Sequence, residues 1–184
     1  MKRMKFYGVG GQGVVTATKV LSSAVSLHEE KYAITVPAYG HERRGAPVYS
    51  DVIMDEEPIL LNCFVYNPDV VVVMDETVVD KNVNIGMGCH DSTILVLNTD
   101  SQNKAKELSE QYGFRETYYV DATQIAVDHI GRNTPNGPIL GAIAKSGVVS
   151  IESVEAALKD FFGEKAGVKN ASSAREAYEK TTKM

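Results

Sequence analysis

The sequence is poor in the residues that build metal centres and disulfides. It has no tryptophan, two cysteines and four histidines. Cys63 and Cys89 form no C-x-x-C pair, which predicts buried free thiols and disfavours an iron–sulfur or zinc site built by this chain alone. The histidines show no H-x-x-x-H spacing, so a histidine metal site is not predicted either.

Long apolar runs and an excess of positive charge are also missing. No apolar stretch approaches the ~20 residues that a membrane helix needs. The basic start, Met1 to Lys5, meets a glycine turn before the apolar core of a signal peptide could form. With 24 acidic and 19 basic residues, the net charge is −5, which argues against general nucleic-acid binding. We therefore expect a cytoplasmic protein that binds neither membranes nor nucleic acids.

Short apolar runs alternate with helical patterns along the chain, and its 184 residues suffice for one domain over 1–184. Strands are predicted at 4–7, 32–36, 48–54, 70–74, 93–97 and 117–120. Helices are predicted at 14–29, 103–112, 122–130, 138–146, 151–162 and 172–183. This order favours an α/β fold: a mostly parallel, Rossmann-like sheet with helices on both faces and a helical C-terminal segment. The stretch 48–54 is expected to add an antiparallel or irregular element.

A glycine turn joins the first predicted strand to the first helix. Its sequence is Gly8-Val9-Gly10-Gly11-Gln12-Gly13, with Val14 opening the helix. Glycines let the backbone turn sharply, and the free N–H groups of a helix N-terminus attract an anion such as a phosphate. The side-chain amide of Gln12 favours contact with a ligand or partner. The alternative is that the glycines only permit a tight strand-to-helix connection.

The sequence around this turn lacks two patterns that are typical of nucleotide-binding sites. No acidic residue stands near Val36-Pro37, where a dinucleotide site of the NAD type places one on the ribose. The Walker pattern G-x-x-x-x-G-K-[ST] is missing as well. Both observations disfavour the usual nucleotide-binding enzymes.

A second suggestive segment is the loop 39–47, which contains Arg43 and Arg44. Guanidinium groups bind phosphate or carboxylate through paired hydrogen bonds. Loops at the carboxyl edge of a parallel sheet are where such folds bind ligands. The alternative is that one of these arginines pairs with Glu42 or another acid and only fixes the loop.

Several motifs, in a specific order over nearly the whole chain, resemble one family. The matching pieces are Gly8 to Gly13 with Val14 to Ala17, Glu42 to Val48, Asp69 to Glu76, Asn133, Pro138 to Ala144, Lys169-Asn170 and Ala177-Tyr178. With these pieces the chain resembles the gamma subunit of 2-oxoacid:ferredoxin oxidoreductases. The string Glu42-Arg-Arg-Gly-Ala-Pro47 is more similar to the pyruvate and branched-chain (ketoisovalerate) types than to those acting on 2-oxoglutarate or indolepyruvate.

The resemblance implies a role within a larger enzyme that oxidatively decarboxylates a 2-oxoacid, pyruvate in the first place. That enzyme makes acyl-coenzyme A and passes electrons to ferredoxin. Thiamine diphosphate with Mg lies between alpha and beta subunits, and iron–sulfur clusters lie in beta and delta subunits, so neither belongs to this chain. The gamma chain is implied to help bind or cover coenzyme A, to hold the catalytic subunits together, and to be inactive alone. Whether the isolated chain forms a homodimer is left open.

Residues and resemblance together give one hypothesis for the site. Gly8, Gly10, Gly11, Gln12 and Gly13, with Arg43 and Arg44, form one anion site for coenzyme A, and no residue of this chain is assigned a catalytic role. Two alternatives remain: a free-standing Rossmann-type nucleotide-binding enzyme, and a purely structural connector subunit.

Overall fold

The computed structural model describes residues 1–38 and 44–184 and contains one seven-stranded sheet. The strands are β1 (Lys2–Val9), β2 (Tyr32–Pro37), β3 (Pro47–Asp55), β4 (Val70–Val73), β5 (Ile94–Asn98), β6 (Glu116–Val120) and β7 (Thr182–Lys183). The helices are α1 (Val14–His28), α2 (Thr77–Asp80), α3 (Gln102–Tyr112), α4 (Ala122–Ile130), α5 (Pro138–Lys145) and α6 (Ile151–Lys180).

The sheet is mixed, so the expectation of a mostly parallel sheet was wrong. Its strand order is β2-β3-β1-β4-β5-β6-β7. Strands β1, β4, β5 and β6 are parallel, whereas β2, β3 and β7 join through antiparallel pairings. A parallel neighbour needs a crossover of about a dozen residues or more, and only residues 38–46 separate β2 from β3. The Rossmann-like arrangement is not confirmed by this order.

Strand β4 shows why the middle of the sheet is buried on both sides. Val70 and Val72 belong to one apolar cluster, and Val71 and Val73 belong to the other. Each of these side chains is at most 1% exposed. Burying a valine side chain contributes roughly 1.5–3 kcal/mol, so an uninterrupted valine run suits a strand covered by both layers.

Helices cover both faces of the sheet, as expected. The larger apolar cluster contains residues of α1, α4, α5 and α6, and the smaller one contains Val78 of α2 with Ala105 and Leu108 of α3. No helix within residues 1–38 and 44–184 has the length and apolar character to cross a bilayer.

The C-terminal segment is helical, as expected, but α6 is a helical hairpin. Gly163 has φ 74° and ψ 176°, which breaks the helix into halves 151–162 and 164–180. Arg175 Nε lies 2.7 Å from Glu155 Oε1, although a straight helix of 20 residues would separate them by about 30 Å. The halves therefore fold back on each other. The second half begins well before the predicted position 172, and the chain ends in β7 rather than in a helix.

Candidate anion-binding site

The glycine turn connects the end of β1 to the start of α1 and needs its glycines for steric reasons. Gly11 has φ 101° and Gly13 has φ 79°, values that side chains rarely permit. A Cβ on Gly8 would lie 2.6 Å from Val14 Cγ2, so the close approach of β1 to α1 depends on glycine there. The turn therefore places the N-terminus of α1 directly beyond the carboxyl end of β1.

Part of this turn is held by hydrogen bonds within the protein. The Gly10 amide donates to Ala46 O at 2.8 Å, and the Gln12 amide donates to Val9 O at 3.3 Å. The side chain of Gln12 accepts from the Val9 amide at 3.4 Å and donates to Asp75 Oδ2 at 2.6 Å. Gln12 therefore fastens the turn to the end of β4, and the amides of Gly10 and Gln12 already have acceptors.

The remaining amides of the turn stay open. Among residues 1–38 and 44–184, no acceptor binds the backbone N–H of Gly11 or Gly13, and no side chain caps α1. The amides of Val14, Val15 and Thr16 belong to the first helical turn, where no intrahelical acceptor exists. Residues Gly11, Gly13, Val14, Val15 and Thr16 line one solvent-accessible space at the positive end of the helix dipole, which suits an anion.

The arginine loop meets this turn at Arg44. Gly10 and Arg44 form an isolated parallel bridge, in which the Gly45 amide donates to Gly10 O at 3.1 Å. A Cβ on Gly11 would lie 3.9 Å from Arg44 Cγ. Lys81 Nζ donates to Gly45 O at 2.6 Å and ties the loop to the end of α2. The structure thus brings Arg44 to the glycine turn, whereas Arg43 lies outside the described residues.

Two concave spaces flank the N-terminus of α1. The first, here called the Arg44 groove, has a volume of about 710 Å³ and is lined by Gly10, Gly11, Gly13, Thr16, Lys19 and Arg44. The second, here called the α6 pocket, has a volume of about 550 Å³ and is lined by Gly11, Gly13, Arg132, Phe162, Lys165 and Lys169. Gly11 and Gly13 line both, so the two spaces adjoin at the glycine turn.

Five cationic side chains line these two spaces: Lys19, Arg44, Arg132, Lys165 and Lys169. Within the described part of the chain, no carboxylate oxygen lies within 4.0 Å of any of them. For a protein with a net charge of −5, this is a local concentration of uncompensated positive charge. Such a field attracts anions and strengthens the effect of the helix N-terminus.

Four of these cations, Lys19, Arg132, Lys165 and Lys169, were missed as site residues by the sequence analysis, and Lys19 lies in α1. Arg132 follows α4, and Lys165 and Lys169 follow the break at Gly163. Lys169 entered only as part of a family motif. The i, i+4 spacing of the two lysines after a helix-breaking glycine was a signal that could have placed them on one face.

A third space, on the α2 side of β1 and β3, is mainly apolar and has a volume of about 500 Å³. Tyr7 lines it, is only 4% exposed, and has a hydroxyl without a hydrogen-bond partner among the described residues. Burial, helped by the nearby Asp51, raises the pKa of Tyr7 well above its usual range, so the phenol stays protonated.

The thiol of Cys63, expected to be buried, is exposed.

Known proteins identify the family to which this fold and site belong. A family model described as pyruvate ferredoxin/flavodoxin oxidoreductase matches residues 3–180. The chain belongs to this family. The common subunit gamma of pyruvate/ketoisovalerate oxidoreductases from Pyrococcus furiosus is 43% identical, over 98% of this chain and 97% of that protein.

Solved structures of other proteins share this fold. The pyruvate oxidoreductase subunit PORC from Thermotoga maritima is 32% identical with a TM-score of 0.83, over 99% of this chain and 97% of that one. A 2-oxoglutarate:ferredoxin oxidoreductase from Magnetococcus marinus, solved with 2-oxoglutarate, coenzyme A and succinyl-CoA, has a TM-score of 0.76 over 98% of this chain and 31% of its own. At 19% identity, that likeness shows the fold alone.

Membership confirms the gamma-subunit resemblance of the sequence analysis. It also confirms the expectation of an oxidoreductase subunit that belongs to an enzyme acting on an oxo group.

Proposed function

We propose that this chain is the gamma subunit of a 2-oxoacid:ferredoxin oxidoreductase and that it binds and covers coenzyme A at the glycine turn. The 2-oxoacid is pyruvate or a branched-chain 2-oxoacid, in line with the name of the Pyrococcus furiosus relative. The partners are alpha and beta subunits, which hold thiamine diphosphate, Mg and iron–sulfur clusters, and a ferredoxin-like delta subunit. The chain works in the cytoplasm as one domain of the assembled complex and is inactive alone.

One observation carries the coenzyme A assignment: open amides meet, at the N-terminus of α1, cations that have no carboxylate partner within residues 1–38 and 44–184. The amides of Gly11 and Gly13 and the side chain of Arg44 border the same groove. A pyrophosphate carries two negative charges and many acceptor oxygens, which match backbone donors and a guanidinium fork. The glycine turn as a whole, Gly8 to Gly13, forms the wall on which these donors are held.

The residues of this chain bind and orient rather than react. Coenzyme A, when bound, supplies the thiol that accepts the acyl group. The Gly11 and Gly13 amides and Lys19 of α1 hold the pyrophosphate from the helix side, and Arg44 holds it from the loop side. Anchoring the charged end in this way positions the thiol end for chemistry in the partner subunits.

A second candidate function is a purely structural connector. The internal hydrogen bonds of Gly10 and Gln12 favour it, because they give the turn a packing role without any ligand. A free-standing nucleotide-binding enzyme is not favoured, because the chain matches relatives named as subunits along nearly their full length.

The decisive experiment reverses the charge of the loop in the assembled complex. Arg44→Glu, alone and together with Arg43→Glu, should raise the apparent KM for coenzyme A by about tenfold or more, because charge-assisted hydrogen bonds are lost and repulsion is added. Decarboxylation of the 2-oxoacid, measured without coenzyme A, should stay at the level of the unmodified complex.

Lys106→Glu provides the matched control, because Lys106 is an exposed lysine of α3 on the opposite face of the sheet. It should leave the KM unchanged. A joint fall of both half-reactions with dissociation of the subunits would instead make the loop a structural contact and support the connector.

A further inference from the structure

The connection between β3 and β4 is a loop that crosses the α2 side of the sheet. Its residues 56–69 form neither a helix nor a strand. The loop is fastened to the sheet at the buried Val65, whose amide donates to Asp51 Oδ2 at 2.7 Å and whose carbonyl accepts from Lys5 Nζ at 3.0 Å. The next residue is held as well, because a Cβ on Gly88 would clash with Tyr66 O. The loop therefore has a defined conformation around 65–66.

Large apolar side chains of this loop and its neighbours are exposed. Six of them are between 40% and 94% exposed: Tyr49, Leu60, Leu61, Phe64, Tyr66 and Met87. At about 200 Å² for a large side chain, these fractions leave roughly 700 Å² of apolar side chain in water. The largest apolar patch of a typical monomer is about 300–600 Å², and a standard interface buries about 800 Å² of each partner. The exposed apolar area is therefore close to one side of a stable interface.

Four of these six side chains surround one cavity. Tyr49, Phe64, Tyr66 and Met87 line the mainly apolar space of about 500 Å³ on the α2 side of β1 and β3. Tyr49 and Phe64 also pack edge-on, with their ring centroids 6.4 Å apart. The two leucines precede Phe64 in the same loop. Anchor side chains at interfaces fill pockets of this kind, so the cavity suits one anchor of a binding partner.

The lining of this cavity carries no net charge. Segments 58–68 and 82–89 contain no acidic or basic residue, in a chain of which 23% is charged. Lys5 is the only charged residue among the described ones that line the cavity, and Asp51 neutralises it at 3.2 Å. The Tyr7 hydroxyl in the same lining stays protonated and has no acceptor among residues 1–38 and 44–184. An uncharged occupant therefore fits, and a polypeptide offers a carbonyl acceptor at every residue.

We propose that these six side chains form a docking surface for an uncharged, apolar segment of a partner subunit, with one anchor side chain of that segment in the cavity. This rests on the proposed function, in which the chain is one subunit of a complex. That role favours a partner subunit over a second copy of this chain. Because α1 packs on the opposite face of the sheet, docking and anion binding can be tested by separate substitutions.

The test measures how tightly this chain is held in the assembled complex. Leu60→Ser combined with Tyr66→Ser should raise the dissociation constant from the partner subunits by about a hundredfold or more, because two large apolar contacts are lost. Native mass spectrometry of the complex over a dilution series measures this constant.

Leu27→Ser is the matched control, because Leu27 is an exposed leucine of α1 on the other face of the sheet. It should leave the dissociation constant unchanged. The full-length double variant should unfold at the same temperature as the unmodified chain, because both substituted side chains are exposed.

The outcomes separate this inference from the proposed function. If the double variant assembles as tightly as the unmodified chain while Arg44→Glu raises the KM for coenzyme A, the docking surface is overturned and the anion site stands. If the unmodified chain forms no complex with the partner subunits, the proposed function fails as well. If the double variant abolishes self-association of this chain and keeps the partner subunits bound, the occupant is a second copy and the proposal is overturned.

Discussion

At the scale of single residues, the sheet contains a buried ion pair between Lys5 of β1 and Asp51 of β3. Lys5 Nζ lies 3.2 Å from Asp51 Oδ2 and donates to Val65 O at 3.0 Å, and the Val65 amide donates to Asp51 Oδ2 at 2.7 Å. Asp51 is fully buried and Lys5 is 8% exposed. Burial raises the pKa of Asp51, although the Val65 amide and Lys5 partly offset this.

Lys5→Met should destabilise the protein by about 3–5 kcal/mol at neutral pH, because it leaves a buried carboxylate without its cation. A raised folded pKa means that the folded state binds the proton more tightly, so the stability due to Asp51 falls as pH rises from about 3.9 through that pKa. Removing Lys5 raises the pKa further. The loss of stability in Lys5→Met should therefore shrink as pH falls. Urea unfolding between pH 4 and pH 8 measures this change.

Adding Asp51→Asn to Lys5→Met is the matched control. The double variant should recover part of the stability at neutral pH and lose the pH dependence of the single variant. A single variant whose loss is the same at every pH would show that Asp51 is not a buried charge.

At the scale of secondary-structure elements, the tightest crossing lies between α5 and α6. A Cβ on Gly141 would lie 1.9 Å from Ala174 O, so the two helices touch through backbone atoms there. Gly147, in contrast, has φ 80° with nothing near the Cβ position. The first glycine is needed for packing and the second only for its backbone conformation.

Gly141→Ala should therefore destabilise by about 3 kcal/mol or more, because one methyl forces the helices apart. Gly147→Ala should destabilise the protein by about 1–2 kcal/mol, because a side chain disfavours the left-handed backbone conformation at this position. Thermal unfolding of both variants measures the difference. Equal losses of stability in the two variants would mean that α5 and α6 can move apart without a loss of folding free energy.

The elements also show what the sequence could and could not predict. The valine run of β4 and the pattern of α4 predicted those elements well, because burial and periodicity are local signals. The antiparallel pairing of β3 confirms the expectation for 48–54, whereas its position between β1 and β2 is a long-range feature that periodicity does not encode. Strand β7 has two residues and exists only by pairing with β6, and the fold-back of α6 depends on contacts such as Arg175 with Glu155.

The candidate site also contains residues that the sequence could place there and residues that it could not. The glycine turn and Arg44 are close in sequence to strand ends, and their meeting at one sheet edge could be predicted because β1 and β2 run in the same direction. Arg132 and the α6 lysines join them only through the helical hairpin, which places residue 169 beside residue 13. A long-range contact of this kind has no local sequence signature.

At the scale of the whole molecule, charge is distributed unevenly. The chain is acidic overall, yet five cations without carboxylate partners in the described residues surround the N-terminus of α1. Several features meet beside the N-terminus of α1. They are the glycine turn at the sheet edge, the loop at Arg44 and the α6 hairpin. We assign this convergence to a phosphorylated ligand shared with the partner subunits.

The most direct measurement is amide hydrogen exchange of the assembled complex with and without coenzyme A, with pantetheine, which lacks the phosphates, as the control ligand. Bound ligand should slow exchange of the open amides in 11–16 and of the α6 segment 163–170, and pantetheine should not. Unchanged exchange in 11–16 at saturating coenzyme A, with protection confined to other subunits, would contradict the account.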